Sequence, residues 1–422
     1  MFGLAGLAGP LGAQSSAKPL HPSEAEGSEI IGLLVDFSEA DEIQRRLDAG
    51  DPTLVHARDV LVAEADRQLA VPTRPVTVGK DKPSRIAPSG DKRDYVSLSP
   101  YWWPNPDTED GLPYVRRDGQ INPERHDYDT PKMGDMSEAV RTLGFAYHVT
   151  GDERYAKRAA EHLRAWFIDP ETRMNPSIRY GQFVPGRSDG RHVGIIDTNR
   201  LRWVPDAILM ISPSAHWSPA ELAATRQWFS EYVEWLLTSK LGKEERAAEN
   251  NHGTWFAAQT ALYALFAGRE DVTRELVRSA FDRVATQIEP DGSQPHEQSR
   301  TRSLDYCEFN IRALLDLSTY GRAVGVDLLG YETPDGRSIR VGLDYLVPYF
   351  TGEKVWAYEQ ISPPKTHMYF QSLRAAARLY DDPTYEKAIR RMDAPSDGIV
   401  WVELVLPAHH LLSTTHDKSS EH

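Results

Sequence analysis

The sequence predicts a mainly α-helical fold of stacked helical hairpins with long aromatic-rich loops, an incomplete α/α toroid. Three segments have the same order of an Ala- and Leu-rich helix, a short Gly- or Asp-containing turn and an Arg- and Ala-rich helix: 136–169, 254–288 and 370–392. Because no such hairpin can bury its apolar stripe alone, the hairpins are expected to stack on one another. Long loops between the hairpins favour the toroid over the simpler alternative, an α-solenoid that binds proteins.

The beginning of the chain is expected to lie outside the folded domain. Residues 1–13 are small and apolar, and a plausible cleavage site follows Ala13. This pattern resembles the end of a secretory signal peptide, although no basic residue precedes Lys18; the alternative is a flexible tail. We therefore predict a tail at 1–28, a single domain at 29–422, and a periplasmic or secreted protein.

The next hundred residues divide into a helical part and a long loop. Apolar residues recur at helical spacing in two stretches of 30–70, which predicts two helices. Residues 71–132 are rich in Pro, Gly, Asp and Tyr, and a loop of this length is usually functional or disordered. Its aromatic residues argue against disorder. Near the other end, 398–412 is predicted to be β-like or buried.

Composition excludes several classes of protein. No stretch of 18 apolar residues occurs, so a membrane-spanning helix is not expected. Lys and Arg number 48 against 62 Asp and Glu, and the net charge of -14 argues against a general nucleic-acid binder. A single cysteine, Cys307, excludes a disulfide framework and a multi-cysteine zinc site.

Two polar clusters contain candidate catalytic residues. The first is the run Asn-Asn-His at 250–252, which opens a strongly apolar helix and presents side chains and free backbone N–H groups at one helix end. The alternative is a helix cap with a half-buried histidine. The second runs from 294 to 306. In it, Arg302 and Tyr306 are four residues apart and share a face if the segment is helical, whereas Arg300 would reach them only from a loop. The alternative is a solvated arginine face with a core tyrosine.

Further candidates lie in the loops. Tyr101, Trp102 and Trp103 form a run in a Pro-rich loop, and they are interpreted either as a sugar-stacking wall or as a hydrophobic plug. Asn199, beside Arg200, could reach a substrate or cap the next helix.

Together these clusters resemble a known family. The block Asn-Asn-His-x-x-Trp at 250–255, followed later by Arg and Tyr, is similar to the alginate-lyase-like α/α-toroid polysaccharide lyases. Family 5 of these lyases shares that block. The whole pattern, with YWWPNPDT at 101–108, GLPYVRRDG at 111–119 and QPHEQSRTRSLDY at 294–306, looks closer to polysaccharide lyase family 38. The resemblance extends over 95–370. It implies cleavage of an anionic polysaccharide, a β-1,4-linked polyuronate such as alginate, polymannuronate or glucuronan, with neither metal nor other cofactor.

The resemblance also implies roles for individual residues. Asn251 and His252 match the pair that neutralises the substrate carboxylate and assists proton removal. Tyr306 matches the tyrosine that donates to the leaving oxygen, and Arg300 matches the arginine that holds it, with Arg302 as the second choice. Further substrate-binding candidates are Asn199, Tyr101, Trp102, Trp103, His296 and Gln298. Gly253 and Thr254 depart from the bulkier residues of family 5, which leaves the detailed subsite open.

The chemistry of β-elimination explains why these groups are needed. The reaction removes H5 of a uronate and expels the oxygen on C4, so donors to the carboxylate stabilise the charge that develops. A base must take H5 and an acid must protonate O4. In mannuronate and glucuronate, which we favour as substrates, both lie on one side of the ring and Tyr306 can serve both steps. In guluronate, His252 would be the base. Arg300 and His252 are expected to favour the phenolate of Tyr306.

Two further expectations concern charge and the alternative functions. A cleft that binds a polyanion should be locally basic in spite of the overall sign. The arginines expected there are Arg116, Arg117, Arg187, Arg191, Arg200, Arg202, Arg300 and Arg302. A toroid glycoside hydrolase would instead need two opposed carboxylates, for which Asp129, Asp135, Glu138 and Glu297 are available. A non-catalytic carbohydrate-binding protein is the third possibility.

Overall fold

Helices dominate the computed structural model, which describes residues 33–34, 40–392 and 402–405. The helices are α1 Ala40–Asp48, α2 Pro52–Leu69, α3 Asp129–Thr150, α4 Glu153–Leu163, α5 Val204–Ile211, α6 Pro219–Thr238, α7 Lys240–Arg246, α8 Asn251–Phe266, α9 Glu270–Gln287, α10 Pro295–Gln298, α11 Ser303–Ala323, α12 Ile339–Phe350, α13 Thr366–Tyr380, α14 Pro383–Ile389 and α15 Val402–Val405. The short strands are β1 Val96–Leu98, β2 Trp102–Trp103, β3 Val115–Arg116 and β4 Tyr180–Phe183. The predicted tail at 1–28 lies outside the described residues.

The three predicted hairpins are present as α3–α4, α8–α9 and α13–α14. The first reverses direction at Gly151, whose φ of 68° ends α3 in the left-handed conformation that glycine adopts without strain. The side chain of Asp152 then caps the N-terminus of α4. The prediction of a mainly helical α/α toroid is confirmed, and the two helices predicted in 30–70 are α1 and α2.

Helices α8 and α11 lie at the centre of the packing. Helix α8 contacts α6, α9 and α11, and α11 also contacts α12 and α13. Aromatic rings fill the space between α6 and α8, where Phe229 contacts Tyr263 with ring centroids 5.2 Å apart. Both side chains are fully buried. Burying a side chain of this size contributes about 1.5–3 kcal/mol, so these contacts stabilise the packing of α6 against α8.

The long loop is attached to α3 by a buried charge cluster. The carboxylate of Asp129, at the first position of α3, accepts from Lys80 Nζ at 2.8 Å and Lys132 Nζ at 2.5 Å. It also accepts the N–H of Val96 in β1 at 2.8 Å. Helix α3 therefore begins at Asp129, three residues before the predicted end of the loop. Beyond this anchor, β1 pairs with β4 in parallel and β2 pairs with β3 in antiparallel orientation.

The segment 398–412 was predicted to be β-like or buried. The part of it that the structure describes, α15, is a helical turn packed against α2, with Val402 and Leu404 buried. The β-like alternative is therefore wrong for these residues. In the described ranges, every helix is too short or too polar to cross a bilayer.

Candidate active site

The predicted functional residues meet at a cavity of about 400 Å³ between the N-terminal ends of α8 and α11 and the loop that carries β2 and β3. Eight of the eleven predicted site residues line it: Tyr101, Trp102, Asn199, Asn251, His252, Arg300, Arg302 and Tyr306. They come from four segments that are far apart in the chain. The fold therefore brings together the separate polar clusters that the sequence predicted.

Tyr306 lies in the first turn of α11 and points at two partners. Its hydroxyl is 2.8 Å from the hydroxyl of Tyr101 and accepts from Nη2 of Arg300 at 3.0 Å. The Arg300 guanidinium also lies over the ring, 4.0 Å from its centroid. Arg300 reaches Tyr306 from the turn between α10 and α11, as the sequence required. A phenol, a second phenol and a guanidinium thus share one corner of the cavity.

Asp118 holds Arg300 in this position and was missed by sequence reasoning. Arg300 donates through Nη2 to Oδ1 of Asp118 at 3.1 Å, and Thr301 Oγ1 donates to Oδ2 at 3.1 Å. Burial acts to raise the pKa of Asp118, but the hydrogen bond and charge of Arg300 outweigh it and lower the pKa to about 2. The next residue, Gly119, has φ 71°, and a Cβ there would lie 2.4 Å from Thr301 Oγ1. The loop therefore docks tightly on the turn before α11.

The protonation of Tyr306 differs from the expectation. Burial raises its pKa, the neighbouring Tyr101 raises it further, and the charge of Arg300 only partly opposes them. The phenolate expected from the nearby cations is therefore not favoured in the unliganded protein. Tyr306 carries its proton, which is the form that an acid needs.

His252 is oriented by a buried carboxylate. Its Nδ1 is 2.7 Å from Oε1 of Glu245, and Nδ1 of His192 is 2.8 Å from Oε2 of the same residue. Burial acts to raise the pKa of Glu245, but the two histidines outweigh it, and the pKa lies below its ordinary value. An ionised carboxylate only accepts, so Nδ1 of His252 carries the hydrogen in this contact, and its Nε2 is the ring nitrogen that remains for a ligand. Glu245 belongs to a charged run that the sequence pattern alone places at the surface.

Asn251 is held by a second buried carboxylate. Its backbone N–H donates to Oε1 of Glu297 at 2.7 Å and its side-chain amide donates to Oε2 at 2.5 Å. One N–H of the amide is therefore used inside the protein, and a substrate carboxylate can receive only the other. Asn250 caps α8 by accepting from the N–H of His252 at 3.2 Å, as the structural alternative for this run proposed. Burial raises the pKa of Glu297.

Three predicted site residues do not line the cavity. Trp103 donates from Nε1 to the carbonyl of Gln120 at 2.9 Å. Gln298 is buried and donates to the Tyr345 hydroxyl at 3.0 Å. His296 is exposed and lines neighbouring clefts. In α10 and in β2, adjacent side chains point in different directions. The sequence pattern did not show which of them face the cavity.

Trp102 is neither a bare stacking wall nor a buried plug. The guanidinium groups of Arg187 and Arg191 lie 5.2 Å and 5.6 Å from its ring centroid. Such contacts are cation–π interactions, so this wall of the cavity is aromatic and positively charged at once.

Gly253 and Thr254 face away from the cavity. A Cβ at Gly253 would lie 2.1 Å from the carbonyl oxygen of Ala248 and 2.3 Å from Nη1 of Arg283. Thr254 donates to Oε1 of Gln287 at 2.9 Å in the interior. The small residues at these positions therefore serve packing behind α8. The resemblance left open whether they alter the substrate subsite, and in the structure they do not line it.

The cavity is basic although the chain is acidic. Its cationic lining residues are Arg116, Arg191, Arg200, Arg300, Arg302 and Lys365, whereas its carboxylates are Asp197 and Asp305. The expectation of a locally positive cleft is thus met. Three of the eight arginines expected there do not line the cavity: Arg117, Arg187 and Arg202. Arg202 is buried and paired with Asp316.

The carboxylates are poorly placed for hydrolysis. Asp197 accepts from Tyr95, Ser97 and Gln182, which occupies both of its oxygens. The four acids considered for a hydrolase lie elsewhere and do not line the cavity: Asp129, Asp135, Glu138 and Glu297. Within the described part of the chain, no group of three His, Cys, Asp or Glu residues could hold a metal ion.

Comparisons with known proteins agree with this geometry. The sequence model for alginate lyase matches residues 79–356. The crystal structure of an alginate lyase from Bacteroides ovatus is similar, with 36% identity, 89% of this chain and 98% of that chain covered, and a TM-score of 0.83. Alginate lyase A1-III from Sphingomonas species A1 has a similar fold at 16% identity, with 90% and 99% covered and a TM-score of 0.55. A variant of A1-III complexed with tetrasaccharide gives a TM-score of 0.56 over 88% and 94% of the two chains, also at 16% identity. No curated protein matches the chain.

Proposed function

Since the chain belongs to the alginate lyase family and is a polysaccharide lyase, we propose that it cleaves β-1,4-linked polyuronates by β-elimination and leaves 4,5-unsaturated uronate ends. The proposed substrates are alginate, chiefly its mannuronate blocks, and glucuronan. The observation that carries this proposal is the meeting of an acid, a base and carboxylate-binding donors in one basic cavity. We also propose a periplasmic or secreted location, where such polymers are found.

Three groups neutralise the carboxylate of the reacting sugar in this proposal. They are the free amide N–H of Asn251, the guanidinium of Arg300 and, when its Nε2 also carries a proton, the imidazole of His252. All three are fixed before substrate binds, by Glu297, Asp118 and Glu245 respectively. Preorganised donors of this kind are each worth about 3–4 kcal/mol in the transition state.

Proton transfer uses Tyr306 and His252. Tyr306 holds a proton that it can donate to O4 as the bond from C4 to the oxygen breaks. The C5 proton moves to Nε2 of His252 when the two groups lie on opposite faces of the ring, as in guluronate. For the same-face geometry of mannuronate and glucuronate, Tyr306 must first release its phenolic proton to solvent. The phenolate then accepts H5, and the same hydroxyl donates that proton to O4 as the bond from C4 to the oxygen breaks. Arg300, which touches the phenolic oxygen, stabilises the phenolate in that step.

The proposal is tested by incubating the protein with polymannuronate, polyguluronate and glucuronan. We expect absorbance at the unsaturated-uronate band to rise with at least one of them. New reducing ends without absorbance would mean hydrolysis, and the absence of both would mean binding alone.

Tyr306→Phe should abolish the absorbance rise while the thermal unfolding midpoint stays near that of the wild type. Tyr331→Phe is the matched control, because Tyr331 packs against Phe281 outside the cavity. A Tyr306→Phe variant that keeps wild-type activity would refute the role of Tyr306 as the acid that protonates O4.

A further inference from the structure

We propose that Arg302 and Lys365 form a second carboxylate-binding site for the uronate residue next to the one that reacts. Both side chains line the cavity that contains Tyr306 and His252. The inference rests on the proposed function, because it requires a substrate with a carboxylate on each sugar.

The first observation is that these cations have no counterion. Arg302 Nε is buried and has no hydrogen-bond partner among the described residues. Within the same residues, neither Arg302 nor Lys365 has a carboxylate at ion-pair distance. In contrast, the cavity's Arg300 is paired with Asp118. No internal carboxylate therefore competes with a ligand for the guanidinium of Arg302 or the ammonium of Lys365 among the described residues.

The second observation explains why Asp305, an acid that lines the same cavity, does not neutralise them. Asp305 lies in the same wall, but its Oδ1 accepts from the backbone N–H of Lys365 and from the Tyr369 hydroxyl, each at 3.0 Å. Its Oδ2 accepts from Nε2 of Gln360 at 3.1 Å. All of these donors are neutral. Asp305 therefore holds the segment 360–365 in place, and the side chains of Arg302 and Lys365 remain available to bind a ligand.

The same contacts hold the two cations in one wall. Arg302 pairs with Gln360 as an antiparallel bridge, and Asp305 binds the backbone of Lys365. The segment 360–365 is thus fixed onto the first turn of α11, which carries Tyr306. A second site built this way has a constant position relative to the reacting centre.

The chemistry of the substrate supplies the ligand. A 1,4-linked polyuronate carries one carboxylate on every sugar, so a neighbouring carboxylate enters the cavity with the reacting one. Arg302 offers a planar fork that suits a carboxylate, and Lys365 adds a mobile point charge. This site would favour chains in which a charged sugar adjoins the cleavage point over chains in which that sugar is neutral.

The test is steady-state kinetics on polymannuronate with Arg302→Gln and Lys365→Gln, and with Lys157→Gln on the exposed face of α4 as the matched control. We expect KM to rise about tenfold for Arg302→Gln and by a smaller factor for Lys365→Gln, with kcat nearly unchanged, because each variant loses a charge-assisted contact to the neighbouring carboxylate while the groups around the reacting sugar stay in place. Arg302→Lys should restore part of the loss.

A second readout separates this site from general electrostatics. Wild-type KM should rise on polymannuronate in which part of the carboxyl groups has been reduced to alcohols, and this difference should shrink in the variants. Equal sensitivity of wild type and variants to carboxyl reduction, or a KM no different from that of the control, would overturn the proposed site. Lys365 is exposed, so its variant gives an answer even if Arg302→Gln fails to fold. A wild type that forms no unsaturated ends on any uronan would instead refute the proposed function.

Discussion

The buried carboxylate of Glu245 should control the rate through His252. Replacing it by glutamine keeps the shape but changes an acceptor-only group into one with an oxygen and an amide. Only one of the two histidines can then donate Nδ1–H to an oxygen, and the other meets an N–H donor. We expect Glu245→Gln to lower kcat because Nδ1 of His252 loses its charged acceptor and the imidazole is no longer held in one orientation.

The magnitude follows from the contact that is lost. The bond between His252 Nδ1 and Glu245 Oε1 is 2.7 Å long, and the carboxylate is almost fully buried. A hydrogen bond to a charged group contributes about 1.5–3 kcal/mol. At about 1.4 kcal/mol per tenfold change in rate, kcat should fall by roughly 10- to 150-fold.

The assay is the initial rate of absorbance increase with polyuronate at saturating and subsaturating concentrations. Glu249→Gln is the matched control, because Glu249 is exposed and lies four residues along the same segment. KM should change little in Glu245→Gln, since the carboxylate does not line the cavity. A variant with wild-type kcat, correctly folded by its thermal unfolding midpoint, would refute the claim that Glu245 orients His252.

The pH dependence of stability gives an independent check on the same residue. The folded-state pKa of Glu245 lies below its ordinary value of 4.5. Its contribution is therefore fully present above pH 4.5 and is lost as the pH falls through the folded pKa. The free energy of unfolding of the wild type should consequently fall more steeply than that of Glu245→Gln as the pH is lowered below 4.5.

Three further outcomes are expected. Asp129→Asn should lower the free energy of unfolding by about 3–5 kcal/mol, because it leaves two buried lysines without a carboxylate. The control is Asp135→Asn, since Asp135 is more exposed, and equal unfolding midpoints for the two variants would contradict this expectation. Gly253→Ala should lower the thermal unfolding midpoint, because its Cβ would lie 2.1 Å from the carbonyl oxygen of Ala248; an unchanged midpoint would show that α8 can shift without cost. In a spectroscopic pH titration, wild type and Tyr306→Phe should show the same tyrosinate absorbance up to about pH 10, since burial raises the pKa of Tyr306; a difference near neutral pH would indicate a resting phenolate.

The helical hairpins could be predicted from the sequence because the residues that specify each hairpin are close together in the chain. Apolar spacing and turn residues around Gly151 are sufficient to place α3 and α4. The Asn-Asn-His run and the Arg and Tyr residues of the later cluster could be found because their order in the chain resembles a family. That these residues would meet at one cavity was an expectation from the resemblance, and the three-dimensional structure was needed to check it.

The residues that hold the site could not be predicted in this way. Asp118 is 182 residues from Arg300 and Glu297 is 46 residues from Asn251, so no local pattern links them. Glu245 is only seven residues from His252, but it lies within a charged run. Nothing in a charged run distinguishes a buried carboxylate from a solvated one. The sequence also did not predict the direction of each side chain in a short element. Trp103 and Gln298 do not line the cavity, whereas the nearby Trp102 and Arg300 do.

The ion pair between Asp118 and Arg300 has a consequence for turnover. In the proposed function, the sugar carboxylate shares the guanidinium with Asp118, which stays in place and already offsets part of its positive charge. The gain in affinity at this point is therefore smaller than that of filling an empty positive site. A product that carries the same negative group would be held less tightly for the same reason, which would favour its release.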